Sequence, residues 1–149
     1  MDPTVAEITA GFKAVHQSLR EEIAALDAAE LNWKPAPETN SIAALVVHTL
    51  GSEAEVFRIS AAVPAPRDRD AEFLAKAETA AQLLPLLDAA DALLDDLAPR
   101  VTSEMLPIVR ARGNRPSQTA LYWLLNNYGH AREHLGHIQL TRQIYAARG

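Results

Sequence analysis

Val5, Ile8, Phe12, Val15, Leu19, Ile23 and Leu26 recur at steps of three and four residues, the spacing that gathers apolar side chains on one face of a helix. They predict a first helix over about residues 3–27, with Pro3 suited to its opening turn. Glu21 and Glu22 read as solvent-face positions within it. The pattern then breaks. Pro35 and Pro37 forbid a regular helix, so residues 27–40 are expected to form an ordered loop whose Trp33 plugs one end of the core. A second stripe of Ile42, Leu45, Val46, Leu50, Ala54 and Phe57 predicts a helix over about 41–62. Thr39, Asn40 or Ser41 offers a side-chain oxygen to cap its unpaired N–H groups, and Pro64 and Pro66 close it.

Residues 63–78 read as a charged connection with one helical turn around Phe73. The third helix is expected to start at Thr79, which has the spacing of a capping box with Gln82. Pro85 falls early in it, as a kink or the mark of a later start. Leu83, Leu86, Leu87, Ala90, Leu93, Leu94 and Leu97 give its apolar face, and Pro99 ends it. Residues 100–116 fit either a short hairpin or an irregular loop, with Arg112-Gly113-Asn114 as the turn. A last helix is expected over about 117–147, lined by Leu121, Leu125, Tyr128, Leu135, Ile138 and Tyr145. Four amphipathic helices in 149 residues predict an all-α four-helix bundle, formed as one domain over 1–149.

Composition agrees with that pattern. Apolar residues make up 48% of the chain but aromatics only 5%, and the alanine and leucine behind the difference favour helix. The net charge of −5 and the lack of a basic stripe argue against nucleic acid as a partner. No apolar run approaches the roughly 18 residues of a spanning helix, which argues against a membrane role, and the start Met1-Asp2-Pro3-Thr4 lacks the basic segment of a secretory signal. With no cysteine, the chain has no disulfide, thiolate ligand or cysteine nucleophile; this fits a cytoplasmic protein. It also lacks a Gly-rich phosphate loop and a GxSxG serine motif.

The chemistry concentrates in histidine. His130, His134 and His137 are separated by four and three residues in the last helix and so face one way. They form a strip beside the apolar stripe, at the edge of the core. A pair at i, i+4 can offer two imidazole nitrogens to one metal at about 2.0–2.1 Å. A third ligand must come from another helix, and His48, near the boundary of the second helix's buried face, is the best candidate. Three histidines leave a fourth position open, the pattern of catalytic rather than structural zinc. Glu55 and Glu133 are weaker candidates, since Glu133 is displaced by about 100° from His134. His137 reads as an outer partner or pocket wall. His16 reads as a partly buried or surface residue, Trp123, Tyr122 and Tyr128 as core or pocket wall, and Arg132 and Arg142 as surface.

These residues also carry a family resemblance. Leu31-Asn32-Trp33-Lys34-Pro35-Ala36-Pro37 leads into Thr39-Asn40-Ser41-Ile42 and the helix bearing His48, and the last helix carries His130-Ala-Arg-Glu-His134-Leu-Gly136-His137. Together they resemble the DinB/YfiT-like superfamily over nearly the whole chain. The resemblance implies an up-up-down-down four-helix bundle, often a homodimer. It implies a zinc or nickel ion on His48, His130 and His134. It further implies a low-molecular-weight thiol such as mycothiol or bacillithiol, whose sulfur the metal would bind and acidify. Many members carry Gln where this chain has His137, some thiol-dependent branches carry Glu where His130 stands, and the resemblance does not extend to the C-terminal domain of the maleylpyruvate isomerases.

Three functions compete: a metal-dependent thiol S-transferase acting on a small molecule, with His137 or Tyr128 orienting substrate; a hydrolase in which the same centre activates water; and a non-enzymatic metal-binding or dimerising module.

Overall fold

Asp2 starts the first helix by accepting hydrogen bonds from the N–H groups of Thr4 (2.8 Å) and Val5 (3.1 Å). In the computed structural model, which describes residues 1–148, α1 spans Pro3–Ile23; Gly149, the last residue of the expected domain, lies outside the described residues. Helix α1 stops four residues short of the expected end because Asp27 caps a separate turn, α2 (Ala28–Asn32), through the Glu30 N–H (2.9 Å). Leu31, rather than Trp33, is the fully buried plug at that end. Trp33 is half-buried and packs edge-on against Tyr145, ring centroids 5.4 Å apart.

Helix α3 (Ile42–Ser60) begins where Ser41 accepts from the Ala44 N–H (3.1 Å), one of the three expected caps. Ala62 ends it in the left-handed region, at φ 57°. The Val63 N–H then reaches back to the Arg58 carbonyl (3.0 Å), which turns the chain over the helix it has just left. The expected turn near Phe73 is α4 (Arg69–Glu72), capped by Asp68. Helix α5 (Leu84–Leu97) starts five residues after Thr79. Thr79 is extended and bridges to Asp27, and Gln82 bonds the Glu78 N–H instead (2.7 Å), so no capping box forms. Pro85 sits in the first turn of α5, where its missing N–H costs nothing.

Of the two forms open to residues 100–116, the hairpin is the one present, with β1 (Val109–Arg112) and β2 (Arg115–Thr119) paired antiparallel. Gly113, at φ +55°, takes the positive-φ place that two-residue hairpin turns require. The protein is mostly helical, with this one short hairpin beside the helices. Strand β2 also takes Ser117 and Gln118 from the expected last helix, and Thr119 caps α6 (Ala120–Ala146).

Each of the four long helices packs on two others, α6 and α5 both lying against α1 and α3. Phe12, Phe57, Leu94, Leu124 and Ile138 sit at the centre of one apolar cluster, essentially without solvent contact. Leu125, expected in the α6 stripe, is 51% exposed, and its neighbour Leu124 is buried in its place. Among the described residues, no helix is long and apolar enough to cross a membrane.

Candidate metal centre

His48 on α3 and His130 and His134 on α6 meet across the interface between those two helices. One ring nitrogen from each lies within 4.8 Å of the other two. The Nε2 atoms of His130 and His134 are 2.9 Å apart, and the His48 ring centre stands 5.2 Å and 5.0 Å from theirs. A four-residue step along a helix brings the α6 pair together. The depth of the cluster sets its protonation. Burial first, and the neighbouring imidazoles second, hold His130 down to about 3 and His134 down to about 4, against an ordinary 6.5. His48 is also lowered, by burial first. All three present neutral nitrogens at neutral pH, the form a metal requires.

Sequence reasoning missed the groups behind these histidines. Glu72 accepts from His48 Nδ1 (3.0 Å), which fixes the tautomer and leaves Nε2 for the cluster, the usual outer support of a ligating histidine. Arg67 grips the same carboxylate through Nε (2.9 Å) and Nη2 (2.8 Å) and reaches Glu55 through Nη1 (2.8 Å). Glu55 in turn accepts from Arg112 Nε (2.8 Å). Ser52 accepts from Arg112 Nη2 (2.9 Å) and from Asn127 Nδ2 (2.7 Å), tying the hairpin to α3 and α6. Glu55, considered above as a ligand, is thus an arginine partner. Gly51 makes room for this network, since a Cβ there would stand 2.0 Å from Glu72 Oε2.

His137 is exposed, and its Nδ1 lies 3.3 Å from His134 Nδ1, placing it behind a candidate ligand. With His134, Pro35, Leu45, Leu140 and Ile144 it lines a largely apolar cleft of about 400 Å³. Tyr128 is not brought to this site. Its ring packs edge-on to Phe12, centroids 5.5 Å apart, and over Gly11 on α1, so its placement gives no support to a substrate-orienting role. Glu133 is exposed and stands outside the histidine cluster.

His16 corrects another expectation. It has no solvent contact. Its Nε2 lies 2.9 Å from both oxygens of the buried Glu53, and its Nδ1 lies 2.6 Å from Asp91 Oδ1. Arg20 also holds Asp91 (2.6 Å). The set joins α1, α3 and α5 away from the histidine cluster.

A family model described as the DinB superfamily matches residues 2–138. Among solved structures, a conserved protein from Enterococcus faecalis is 23% identical, covering 96% of each chain with a TM-score of 0.72. A DinB-like protein from Bacillus cereus is 11% identical, covering 93% of this chain and 91% of its own, with a TM-score of 0.73. No curated protein matches.

Proposed function

As this chain belongs to the DinB superfamily, we propose that His48, His130 and His134 hold one divalent metal, zinc or nickel, and that the centre activates a low-molecular-weight thiol for transfer to an electrophilic small molecule. The observation that carries this reading is the convergence of three imidazole nitrogens within 4.8 Å of one another. Four-coordinate zinc with three protein ligands keeps one position for an exchangeable group, and three imidazoles suit zinc, nickel or copper. A metal held there would supply a Lewis acid able to lower the pKa of a bound thiol. The protein has no cysteine to serve as that thiol, so it comes from solution, as mycothiol or bacillithiol would.

The chain's own residues do the rest. Glu72 holds the His48 proton at Nδ1, and Arg67 fixes Glu72. Pro35, Leu45, Leu140 and Ile144 give the cleft beside His134 an apolar wall that excludes water and suits a hydrocarbon portion of the substrate. By the same family reasoning, the four long helices form an up-up-down-down bundle that works as a homodimer; chain length fits one domain per chain, and the lack of cysteine fits a cytoplasmic setting.

The test combines untagged, metal-loaded protein with several thiols and a chromogenic electrophile. Turnover above that of free metal, lost in His134→Ala, is expected. No turnover with any thiol contradicts the transferase reading, and ester hydrolysis without thiol, lost in the same variant, reassigns the centre to a hydrolase.

Support from Glu72 is separately testable. Gly51→Ala is expected to push Glu72 off His48 and weaken metal affinity by about 10–100-fold, the usual cost of losing an outer partner. Glu72→Gln should move affinity in the same direction. Competition titration against a chromophoric chelator reads both, and an unchanged affinity contradicts the role given to Glu72.

A further inference from the structure

Arg67, Arg69, Arg112 and Arg115 line an open cleft of about 400 Å³ at the junction of α3, α4 and the hairpin. Glu55 is the one carboxylate among its lining residues, and it is divided between Arg67 and Arg112. Among the described residues, Arg69 and Arg115 have no acidic partner within 4 Å, while Arg69 lies over the Phe73 ring, 4.9 Å from its centre. This concentration of cation occurs in a chain of net charge −5. The hairpin register also places Arg112 directly opposite Arg115, a like-charge pairing that weakens a ladder. The cationic field is felt within the network: burial first, then Arg115 and Arg67, lower the Arg112 pKa against the pull of Glu55. Arg112 is nonetheless held rigidly, 3% exposed, by Glu55 and Ser52.

Guanidinium groups gathered this way match a carboxylate or phosphate, whose paired oxygens accept two N–H groups from one fork. We propose that this cleft binds an oxyanion, carboxylate or phosphate, with Arg69 and Arg115 as its direct contacts and Arg67 and Arg112 as the fixed wall behind them. The cleft adjoins the histidine cluster. Arg67 Nη2 lies 3.3 Å from His48 Nδ1, and the Phe73 ring under Arg69 stacks on His48 with centres 4.3 Å apart.

The experiment titrates inorganic phosphate, and separately malonate, into the full chain by calorimetry at low salt, with metal-free and metal-loaded protein in parallel. Arg69→Gln/Arg115→Gln is the test variant, since neither side chain holds an ion pair that the fold needs. Lys34→Gln/Lys76→Gln, which removes the same two charges from exposed positions outside both sites, is the control. Saturable binding of at least one anion is expected with and without metal. It should be at least about tenfold weaker in the double arginine variant, as removal of charged hydrogen-bond donors implies, and unchanged in the double lysine variant. Absence of saturable binding for both anions, wild-type affinity in the arginine variant, or an equal loss in the lysine variant overturns the proposal. Binding by metal-free protein keeps this outcome separate from failure of the metal reading, which metal content reports.

Discussion

His16→Ala is expected to destabilise the fold by about 3–5 kcal/mol, the range for breaking a buried ion pair by removing one partner. His16 and Glu53 are essentially solvent-free, their side chains 0% and 1% exposed, and the truncation strands the Glu53 carboxylate among α1, α3 and α5. Replacing both with leucine should recover much of the loss, because the charge and its partner leave together. Urea denaturation of the three proteins measures the difference. A loss below about 1 kcal/mol for the single variant would reduce the network to the level of a surface pair.

The same network sets a pH dependence. Burial alone would lower the His16 pKa, but the hydrogen bonds and charges of Glu53 and Asp91 outweigh it, and the pKa is raised. Burial raises Glu53 as well. Both shifts mean that the folded state binds protons the unfolded chain would release, so stability falls as pH rises. The His16 contribution is fully present below its unfolded value of 6.5 and is lost as pH climbs through the raised folded value. Asp91, held low against burial by His16 and Arg20, acts oppositely: its contribution is present above 3.8 and lost as pH falls through its depressed folded value. The groups facing His16 are Arg20 on α1, Glu53 on α3 and Asp91 on α5, with Asp88 reached through Arg20. Melting temperature should therefore decline from pH 6 towards pH 9 more steeply in the wild type than in the double-leucine variant.

His134→Ala is expected to weaken metal binding beyond the roughly 100-fold that an outer-partner loss costs, with helix content unchanged. His134 is only half-buried, and alanine is the best helix former, so folding and binding effects separate. The variant leaves His48 and His130 on different helices, without the i, i+4 pair whose Nε2 atoms lie 2.9 Å apart. His48→Ala should lose the metal as well, while Arg67 retains its bonds to Glu72 and keeps that carboxylate paired. Circular dichroism alongside the titration distinguishes a lost site from a lost fold.

The histidine strip was legible because helical periodicity alone sets its direction. The Ser41 cap, the turn near Phe73 and one of two readings for the hairpin followed from similarly local rules. Glu72 was not legible. It lies 24 residues from His48, and only the left-handed Ala62, followed by the α4 turn, brings it back. His16 was missed although a signal existed. It stands four residues after Phe12 and three before Leu19, on the apolar stripe. Glu53 and Asp91 interrupt the buried faces of two other helices in the same way. Three polar residues on three core-facing stripes signal mutual pairing, because a lone buried charge is too costly. Leu124 and Leu125 are adjacent, and periodicity could not decide which faces inward until α6 packed between α1 and α3. Thr79 shows a local rule overridden by tertiary pairing, its bridge to Asp27 taking the chain out of helix.

Elemental analysis of the untagged full chain, after zinc loading and removal of excess ion, tests most directly whether imidazoles on α3 and α6 share a metal. About one ion per chain is expected in the wild type, and none above background in His48→Ala or His134→Ala. A wild-type protein that retains no metal, or variants that retain as much as the wild type, would contradict it.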